Sequence, residues 1–268
     1  MEILTQEQSS NGITLEQSNL QLQLLNLSDR IAQQTSFSKE DRVATDAEFA
    51  EILARVDILV EANQIAFYNH QTVLKAVANL KQIYAMKNMI GALTNTFTAD
   101  AVEYTQFTNS IGENGIVITS KYYGIDDKNI YYYEDSGNKT IVENGKAFSL
   151  VSGNYQESDV EIGQSTASRN KFIDNIENEI LGVDGDFTAT YVGRKDAYVL
   201  EFRGSDGIKV IECRIENENM IFFKNSLTSA QNSYAYVYDF KQMTQQEFDE
   251  KYEEIWSEIS DAISSENE

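Results

Sequence analysis

The first hundred residues carry apolar side chains at the spacing of an α-helix. Near the start, four of them lie four, three and four residues apart, as in a heptad seam: Leu20, Leu24, Leu27 and Ile31. Residues 33–37 interrupt this pattern, so we expect the first helix to end there. Residues 1–13, ahead of this helix, are expected to be disordered.

A longer apolar series follows, in which intervals of three and four residues alternate without a break. Its positions are Phe49, Ile52, Val56, Leu59, Asn63, Ala66, His70, Val73, Val77, Leu80 and Tyr84. The series predicts one helix from about residue 39 to 91, which would span roughly 80 Å at 1.5 Å per residue. Such a helix needs the first helix folded back on it, another copy or a different partner to bury its stripe. We therefore predict that residues 1–95 form a coiled-coil stalk or a helical hairpin, and that the 39–91 helix self-associates or binds a protein.

Two polar residues interrupt this apolar seam. Asn63 and His70 lie one heptad apart at equivalent positions. A buried polar residue at such a position costs stability and fixes the register or the oligomeric state. We expect that role for both residues; the alternative is that the seam is locally exposed there and both are solvated.

The pattern changes from helical to alternating near residue 100. Twelve of the fourteen glycines lie between Gly112 and Gly207, in a part of the chain where tight turns favour them. From residue 101 onward the period changes to two, and eight segments are predicted as strands: 115–123, 129–135, 145–151, 186–192, 197–202, 208–215, 220–223 and 233–240. Turn sequences such as DSGN, ENG and GSDG separate neighbouring segments, so we expect antiparallel pairing.

Two helices are expected within this second part. Helical spacing of apolar residues predicts a central helix near 168–181, and a capping box at Thr244 and Glu247 opens a C-terminal helix near 244–264. We therefore predict an α+β protein in which residues 96–268 form a curved antiparallel β-sheet domain with helices on one face.

Tyrosines are concentrated on the predicted strands, and several share one face of a strand. The candidate binding face consists of Tyr131, Tyr133, Tyr234, Tyr236 and Tyr238. Such a row can bind a protein partner or an apolar ligand, because a tyrosine ring is apolar and its hydroxyl is polar. The alternative is that tyrosine simply fits a strand at the sheet surface.

The composition excludes several kinds of chemistry. With one Cys and one His, the chain can form neither an intramolecular disulfide nor a cysteine-based zinc site. No phosphate-binding loop, dinucleotide fingerprint or G-x-S-x-G motif is present. We therefore predict no enzymatic activity, no catalytic residue, no cofactor and no metal. Calcium is an alternative at the turns 126–129 and 184–186, whose Asp and Asn residues are equally explained by turn formation.

The charge is strongly negative and uneven. The chain holds 21 basic and 43 acidic residues, a formal net charge of −22, and nine acidic residues but one basic residue lie in 242–268. Nucleic-acid binding is not expected, because it requires concentrated Lys and Arg.

The first thirty residues lack the basic and apolar regions of a signal peptide, and no stretch is long and apolar enough to span a membrane. The localisation stays open.

Residues 97–240 resemble the sheet domains of small lipoproteins from Gram-positive bacteria. The resemblance lies in NGIVITSKYYGIDDKNIYYYEDSGNKTIVENGKAFSLVSG, where a strand, a tyrosine-rich strand, an acidic turn and a short ENGK hairpin follow one another. Those domains are similar to the carrier fold of periplasmic lipoprotein chaperones. The resemblance implies a curved antiparallel sheet that wraps around a helix and can hold a lipid-like ligand.

A second resemblance concerns the order of the parts. A heptad stalk followed by a β-rich head resembles phage fibres and surface attachment proteins. It implies an attachment function and a self-associating stalk.

These observations favour a non-enzymatic interaction or structural protein. In this interpretation the helical region mediates self-association or docking, and the tyrosine-rich sheet presents a binding face. The first alternative is a carrier or sensor of a lipid or small apolar ligand, and the second is an attachment protein with a stalk and a β head.

Overall fold

The structure is a computed structural model, and it describes residues 15–34, 36–62, 67–112, 115–128, 130–160, 169–182, 186–205, 207–229 and 233–266. The helices in these ranges are α1 Leu15–Gln33, α2 Lys39–Glu61, α3 Phe67–Thr96, α4 Arg169–Leu181 and α5 Gln245–Glu266. The strands are β1 Ala101–Gly112, β2 Gly115–Asp126, β3 Tyr131–Asp135, β4 Asn138–Glu143, β5 Lys146–Val151, β6 Asn154–Asp159, β7 Asp186–Val192, β8 Ala197–Gly204, β9 Gly207–Glu216, β10 Asn219–Thr228 and β11 Ser233–Met243. The fold is therefore α+β, and residues 1–13, predicted to be disordered, lie outside the described ranges.

The described strands form one antiparallel sheet in the order β6-β5-β4-β3-β2-β1-β11-β10-β9-β8-β7. From β1 the chain meanders outward to β6 at one edge. After α4 it starts at the opposite edge with β7 and meanders back inward. The sheet is completed where β11 pairs with β1, from Ala101 opposite Met243 to Ile111 opposite Ser233.

Three successive two-residue turns build the meander from β3 to β6. The turn residues have left-handed backbone angles in each case: Ser136 and Gly137, Asn144 and Gly145, and Ser152 and Gly153. Two left-handed residues in a row produce the turn whose twist matches that of paired antiparallel strands. The first two turns are the DSGN and ENG sequences that predict hairpins.

The prediction of eight strands misses β1, β4 and β6. Most residues of β1 from Thr105 to Ser110 are polar, so its alternation is weak. β4 is only six residues long, and β6 is a polar strand at the edge of the sheet. Pairing with neighbours, rather than an apolar pattern of their own, makes these segments strands.

The predicted single helix over 39–91 is wrong, because this segment contains two helices, α2 and α3, that form a hairpin with each other. α2 starts at a capping box between Ser38 and Asp41 and ends at Glu61, with Ala62 as its C-cap. α3 then runs antiparallel to α2. Two contacts between the helices show this: His70 Nε2 lies 3.8 Å from Asp57 Oδ1, and Lys81 Nζ lies 3.7 Å from Asp46 Oδ1. A chain that folds back buries the stripe of both helices without a second copy. The described helices therefore form no extended stalk.

The seam residues of α1–α3 belong to one hydrophobic core with the sheet. Phe49, Ile52, Val56, Val73 and Tyr84 are all buried in it. Sheet residues in the same cluster include Val102, Tyr104, Phe223 and Phe240. The face of the sheet that carries these four residues is the front face. α2, α3 and α4 contact it, and α1 packs on α2 and α3.

The opposite, back face has a separate core under α5. Tyr132, Ile141, Phe248, Ile255 and Ile259 are its buried centre. The sheet is thus covered by helices on both faces, whereas the sequence predicts helices on one face. Among the described residues, no helix has the length and hydrophobicity that crossing a membrane requires.

Candidate functional site

A cavity of about 480 Å³ lies between α4 and the front face of the sheet. Its lining residues come from α4 and from the adjacent strands β1, β10 and β11: Gln106, Phe172, Asn175, Ile176, Asn178, Glu179, Phe223, Asn225, Tyr236 and Tyr238. The volume falls within the range of pockets that hold small molecules.

The apolar stripe of α4 forms the roof of this cavity and attaches the helix to the sheet. Phe172, Ile176 and Ile180 recur at intervals of four residues and are buried. The Phe172 ring stacks on Tyr104 with 4.5 Å between the ring centroids and meets Tyr238 edge-on at 5.6 Å. These aromatic contacts set the distance between α4 and β11, and thereby the height of the cavity.

Arg169 holds the first turn of α4 in place. Its guanidinium donates hydrogen bonds to the carbonyl oxygens of Phe97, Ala99 (2.6 Å) and Asp100 (3.2 Å). These carbonyls belong to the connection between α3 and β1. The guanidinium carbon also lies 5.6 Å from the centroid of the Phe97 ring. A planar group with several donors is suited to binding such a set of carbonyls at once.

Polar side chains that are hydrogen-bonded to one another line one end of the cavity. Asn225 on β10 is 3% exposed, and its amide nitrogen donates a hydrogen bond of 2.5 Å to Glu179 Oε2 on α4. The same carboxylate oxygen accepts a hydrogen bond of 2.9 Å from Lys209 Nζ on β9. A carboxylate, an amide and an ammonium group thus link α4 to two strands at the edge of the cavity.

Aromatic rings form the opposite wall. Tyr238 packs against the core, and burial raises the pKa of its hydroxyl to about 12. Tyr236 is 37% exposed and lies at the mouth of the cavity. With the Tyr238 phenol neutral at physiological pH, this wall is apolar apart from its hydroxyl groups.

The five tyrosines of the predicted binding face all lie on the front face, according to the strand registers. Tyr236 and Tyr238 line the cavity, and the Tyr234 ring is adjacent to that of Tyr236 at 5.2 Å. Tyr131 and Tyr133 lie three strands away on β3 and do not line the cavity. Tyr133 is nevertheless connected to it through a series of ring contacts across Tyr123, Tyr104 and Tyr238.

Of the two predicted seam residues, His70 does not line this cavity. His70 is on α3 opposite Asp57 of α2, inside the helical hairpin of one chain. Asn63 lies outside the described residues. The register and oligomer role of both residues stays a prediction.

The described residues contain no group of three or more His, Cys, Asp or Glu side chains placed to hold a metal ion. At the first calcium candidate, Asp126 Oδ1 accepts hydrogen bonds from the backbone nitrogens of Lys128 (2.9 Å) and Ile130 (2.8 Å), which is turn geometry. Asn129 of that turn and residues 184–185 of the second candidate lie outside the described ranges.

Residue-level prediction from the sequence missed the polar part of the cavity. Asn225 lies two residues after Phe223 and two before Leu227, so the alternation of the strand places a polar side chain on the inward face. On α4, Asn175, Asn178 and Glu179 flank the buried isoleucines in the same way. Polar residues at inward-facing positions were the sequence signal from which the polar part of the cavity could have been predicted.

Comparisons with known proteins gave structural matches alone. No protein-family profile and no curated protein sequence matches the chain. LprF from Mycobacterium bovis is 8% identical, with a TM-score of 0.36 over 59% of this chain and 91% of LprF. A LolA superfamily protein from Nitrosomonas europaea is 11% identical, with a TM-score of 0.27 over 60% of this chain and 91% of its own. A DUF1329 family protein from Desulfovibrio piger is 10% identical, with a TM-score of 0.26 over 62% of this chain and 92% of its own. The partial resemblance stated from the sequence is matched by these three distant similarities, each of which covers about 60% of this chain.

Proposed function

We propose that this protein is a non-enzymatic carrier or sensor that holds one small apolar or amphipathic ligand between α4 and the sheet. The observation that supports the proposal is the 480 Å³ cavity, whose walls combine aromatic and aliphatic side chains with a few polar groups. This combination is typical of small-molecule binding sites. A lipid-like ligand is also what the sequence resemblance implies.

The geometry of α4 supports ligand binding at this place. Arg169 and Phe172 attach the first turn of this helix to the rest of the protein, so the cavity has a fixed roof. A preformed cavity lowers the ordering cost of binding. Bound ligand would contact Tyr236 and Tyr238, which belong to the predicted binding face.

Self-association through the helical region is a weaker proposal. The apolar residues of the seam, such as Ile52, Val56 and Val77, are buried in the core of the chain itself. Dimerisation through these side chains would require the hairpin to open. A protein partner therefore has to use other surfaces, and the described contacts favour none of them.

A fluorescence titration tests the carrier proposal. N-phenyl-1-naphthylamine, a neutral apolar dye, is added to the purified full chain, and its emission increase is fitted to a binding curve. We expect saturation at one dye per chain. Asn178→Trp places an indole into the mouth of the cavity from an exposed position, and we expect it to weaken binding at least about tenfold.

The matched control for this variant is Asp174→Trp. Asp174 is exposed on the same helix and does not line the cavity, so dye binding should stay unchanged. Equal binding by the wild type and both variants would place the dye elsewhere and overturn the proposal. So would the absence of saturable binding in the wild type.

A further inference from the structure

We infer that a second cavity, separate from the one under α4, binds a dipeptide in its zwitterionic form. This cavity has a volume of about 310 Å³, and its walls come from the end of α3 and from neighbouring ends of β9, β10 and β11. None of its lining residues lines the cavity under α4. The inference therefore goes beyond the proposed function and does not rest on it.

This second cavity lies where β10 and β11 separate. Their pairing ends at Phe222 opposite Asp239, although β10 begins at Asn219 and β11 continues to Met243. A bulge in β10 between Met220 and Phe222 accompanies the separation, because a bulge bends its strand. Among the described strands, the last residues of β11 pair with β1 alone. The other edge of β11 is open there and faces the cavity.

The end of α3 closes the front side of the gap. The Thr96 hydroxyl accepts a hydrogen bond of 2.8 Å from the Met220 amide and lies 3.0 Å from the Met220 carbonyl oxygen. It thus occupies the place that a β11 residue would have beside Met220 in a continuous sheet. These contacts engage the β10 side of the gap. The open edge of β11 remains, and such an edge hydrogen-bonds the peptide group of a ligand.

A carboxylate and an ammonium group flank the gap. Glu216 at the end of β9 and Lys241 on β11 line the cavity, and both are exposed. Both belong to the back face, because Glu216 follows Ile215 of the front core and Lys241 lies two residues before Met243 of the back core. Within the described part of the chain neither forms a salt bridge. The carboxylate of Glu247, which interacts electrostatically with Lys241, is already engaged in the capping box of α5.

The distance between these two charged groups favours a dipeptide. β9 and β11 are two strand spacings apart, roughly 10 Å where pairing is regular. The ends of an extended dipeptide are about 7 Å apart, and the Glu216 and Lys241 side chains span the remainder. A single amino acid is too short to reach both groups. Because the two charges of a dipeptide cancel, the net charge of −22 does not repel it as it repels an anion.

Saturation-transfer difference NMR on the full-length protein tests the inference with three matched probes. Glycylglycine carries both charges and a peptide group. 5-Aminopentanoate carries the same charges at the same spacing without a peptide group, and N-acetylglycinamide carries amide groups without charges. We expect glycylglycine to bind at least about threefold more tightly than either of the others. It should not displace N-phenyl-1-naphthylamine, whose expected site is the cavity under α4.

Two variants neutralise the flanking charges at exposed positions, where they should leave the fold intact. Lys241→Gln and Glu216→Gln should each weaken glycylglycine about two- to fivefold and leave N-acetylglycinamide unchanged. The matched controls are Lys224→Gln, on the back face of β10, and Glu218→Gln, at an exposed position just before β10. Neither control residue lines the cavity, so neither variant should change the binding of glycylglycine.

Several results would overturn the inference. These are the absence of saturable glycylglycine binding, equally tight binding of N-acetylglycinamide, and equal effects of the cavity and control variants. Displacement of the dye by glycylglycine would also overturn it, because the dipeptide would then lie under α4. The carrier proposal is decided separately, by the dye titration and the Asn178→Trp variant.

Discussion

Arg42 on α2 and Asp196, in the turn between β7 and β8, form a buried ion pair between residues 154 positions apart in the chain. Two hydrogen bonds join them, Nε to Oδ1 at 2.9 Å and Nη2 to Oδ2 at 2.6 Å. The Tyr191 hydroxyl donates a third hydrogen bond of 2.6 Å to Oδ1. Asp196 has a left-handed backbone with φ of 45°, which Asp tolerates better than most residues. The pair attaches the helical hairpin to the far end of the sheet.

Breaking this pair should destabilise the protein strongly. In Asp196→Asn the side chain keeps its shape and its tolerance of the left-handed backbone, but Arg42 remains buried without a counter-charge. We expect a loss of about 3–5 kcal/mol in the free energy of unfolding, measured by urea denaturation. The exposed pair of Arg55 and Glu51 is the control, and Glu51→Gln should cost about 0.5 kcal/mol or less. Equal losses for the two variants would contradict the role given to the buried pair.

The same carboxylate should make stability depend on pH in acid. Burial tends to raise the pKa of Asp196, but hydrogen bonds from Arg42 and Tyr191 and the Arg42 charge outweigh it and hold the pKa below the ordinary value of 3.8. A carboxylate with a lowered pKa in the folded state stabilises the fold fully above the unfolded-state pKa. This contribution is lost as the pH falls through the folded-state pKa.

Urea midpoints of the wild type and Asp196→Asn between pH 3 and pH 7 test this dependence. The difference between the two proteins should be largest at pH 5–7 and should shrink as the pH falls below about 3.8. A difference that stays constant over the whole range would show that the charge of Asp196 is not its source.

Gly124 on β2 should not tolerate a side chain, because the Tyr132 ring lies directly over it. A Cβ atom built at Gly124 would be 2.2 Å from Cζ of that ring, and Tyr132 is fully buried. We expect Gly124→Ala to cost about 1–3 kcal/mol by thermal or urea unfolding. In Gly204→Ala, where no atom lies within 4 Å of the added carbon, the change should stay within about 0.5 kcal/mol. A tolerated Gly124→Ala would mean that the ring lies elsewhere.

Arg169→Lys should loosen α4 without unfolding the protein. A single ammonium cannot reach the carbonyls of Phe97, Ala99 and Asp100 with the geometry of a guanidinium. Relative to the wild type, we expect amide hydrogen exchange to accelerate in α4 but not in β8–β10, and the affinity for the dye to fall several-fold. Arg203→Lys, at an exposed position, is the control and should change neither quantity. If hydrogen exchange in α4 is the same in Arg169→Lys as in the wild type, Arg169 does not anchor this helix.

Cys213 should be inert in the folded protein. The thiol on β9 is fully buried, and burial raises its pKa well above the ordinary value. Since the thiolate is the reactive form, 5,5′-dithiobis(2-nitrobenzoic acid) should label it only when the sheet opens. The labelling rate should rise with urea in parallel with unfolding, and rapid labelling without urea would contradict the buried position.

The sequence was sufficient for features that depend on neighbouring residues. The spacing of Phe172 and Ile176 predicts α4, and the residue pairs at 136–137 and 144–145 predict tight hairpins because few residues adopt left-handed angles easily. The alternation from Tyr234 to Tyr238 places these rings on one face. Each of these patterns is local, and the structure contains the predicted helix, turns and tyrosine row at the predicted positions.

Features that depend on distant residues were not predictable in this way. The heptad register of the sequence continues across the break between α2 and α3, so the spacing of the apolar residues does not indicate the hairpin. β6 is a strand because it pairs with β5. Nothing near Arg42 in the sequence indicates Asp196, and nothing near Asn225 indicates Glu179.

The position of the ligand is the central claim, and photochemical labelling tests it most directly. A decylamine that carries a diazirine on its alkyl chain is bound to the full-length protein, illuminated and located by peptide mass spectrometry. The account predicts labelling in α4 and in β10–β11, reduced by excess decylamine and by Asn178→Trp but not by Asp174→Trp. Labelling confined to exposed apolar residues of the helical hairpin, such as Ile58 and Ile83, would contradict it.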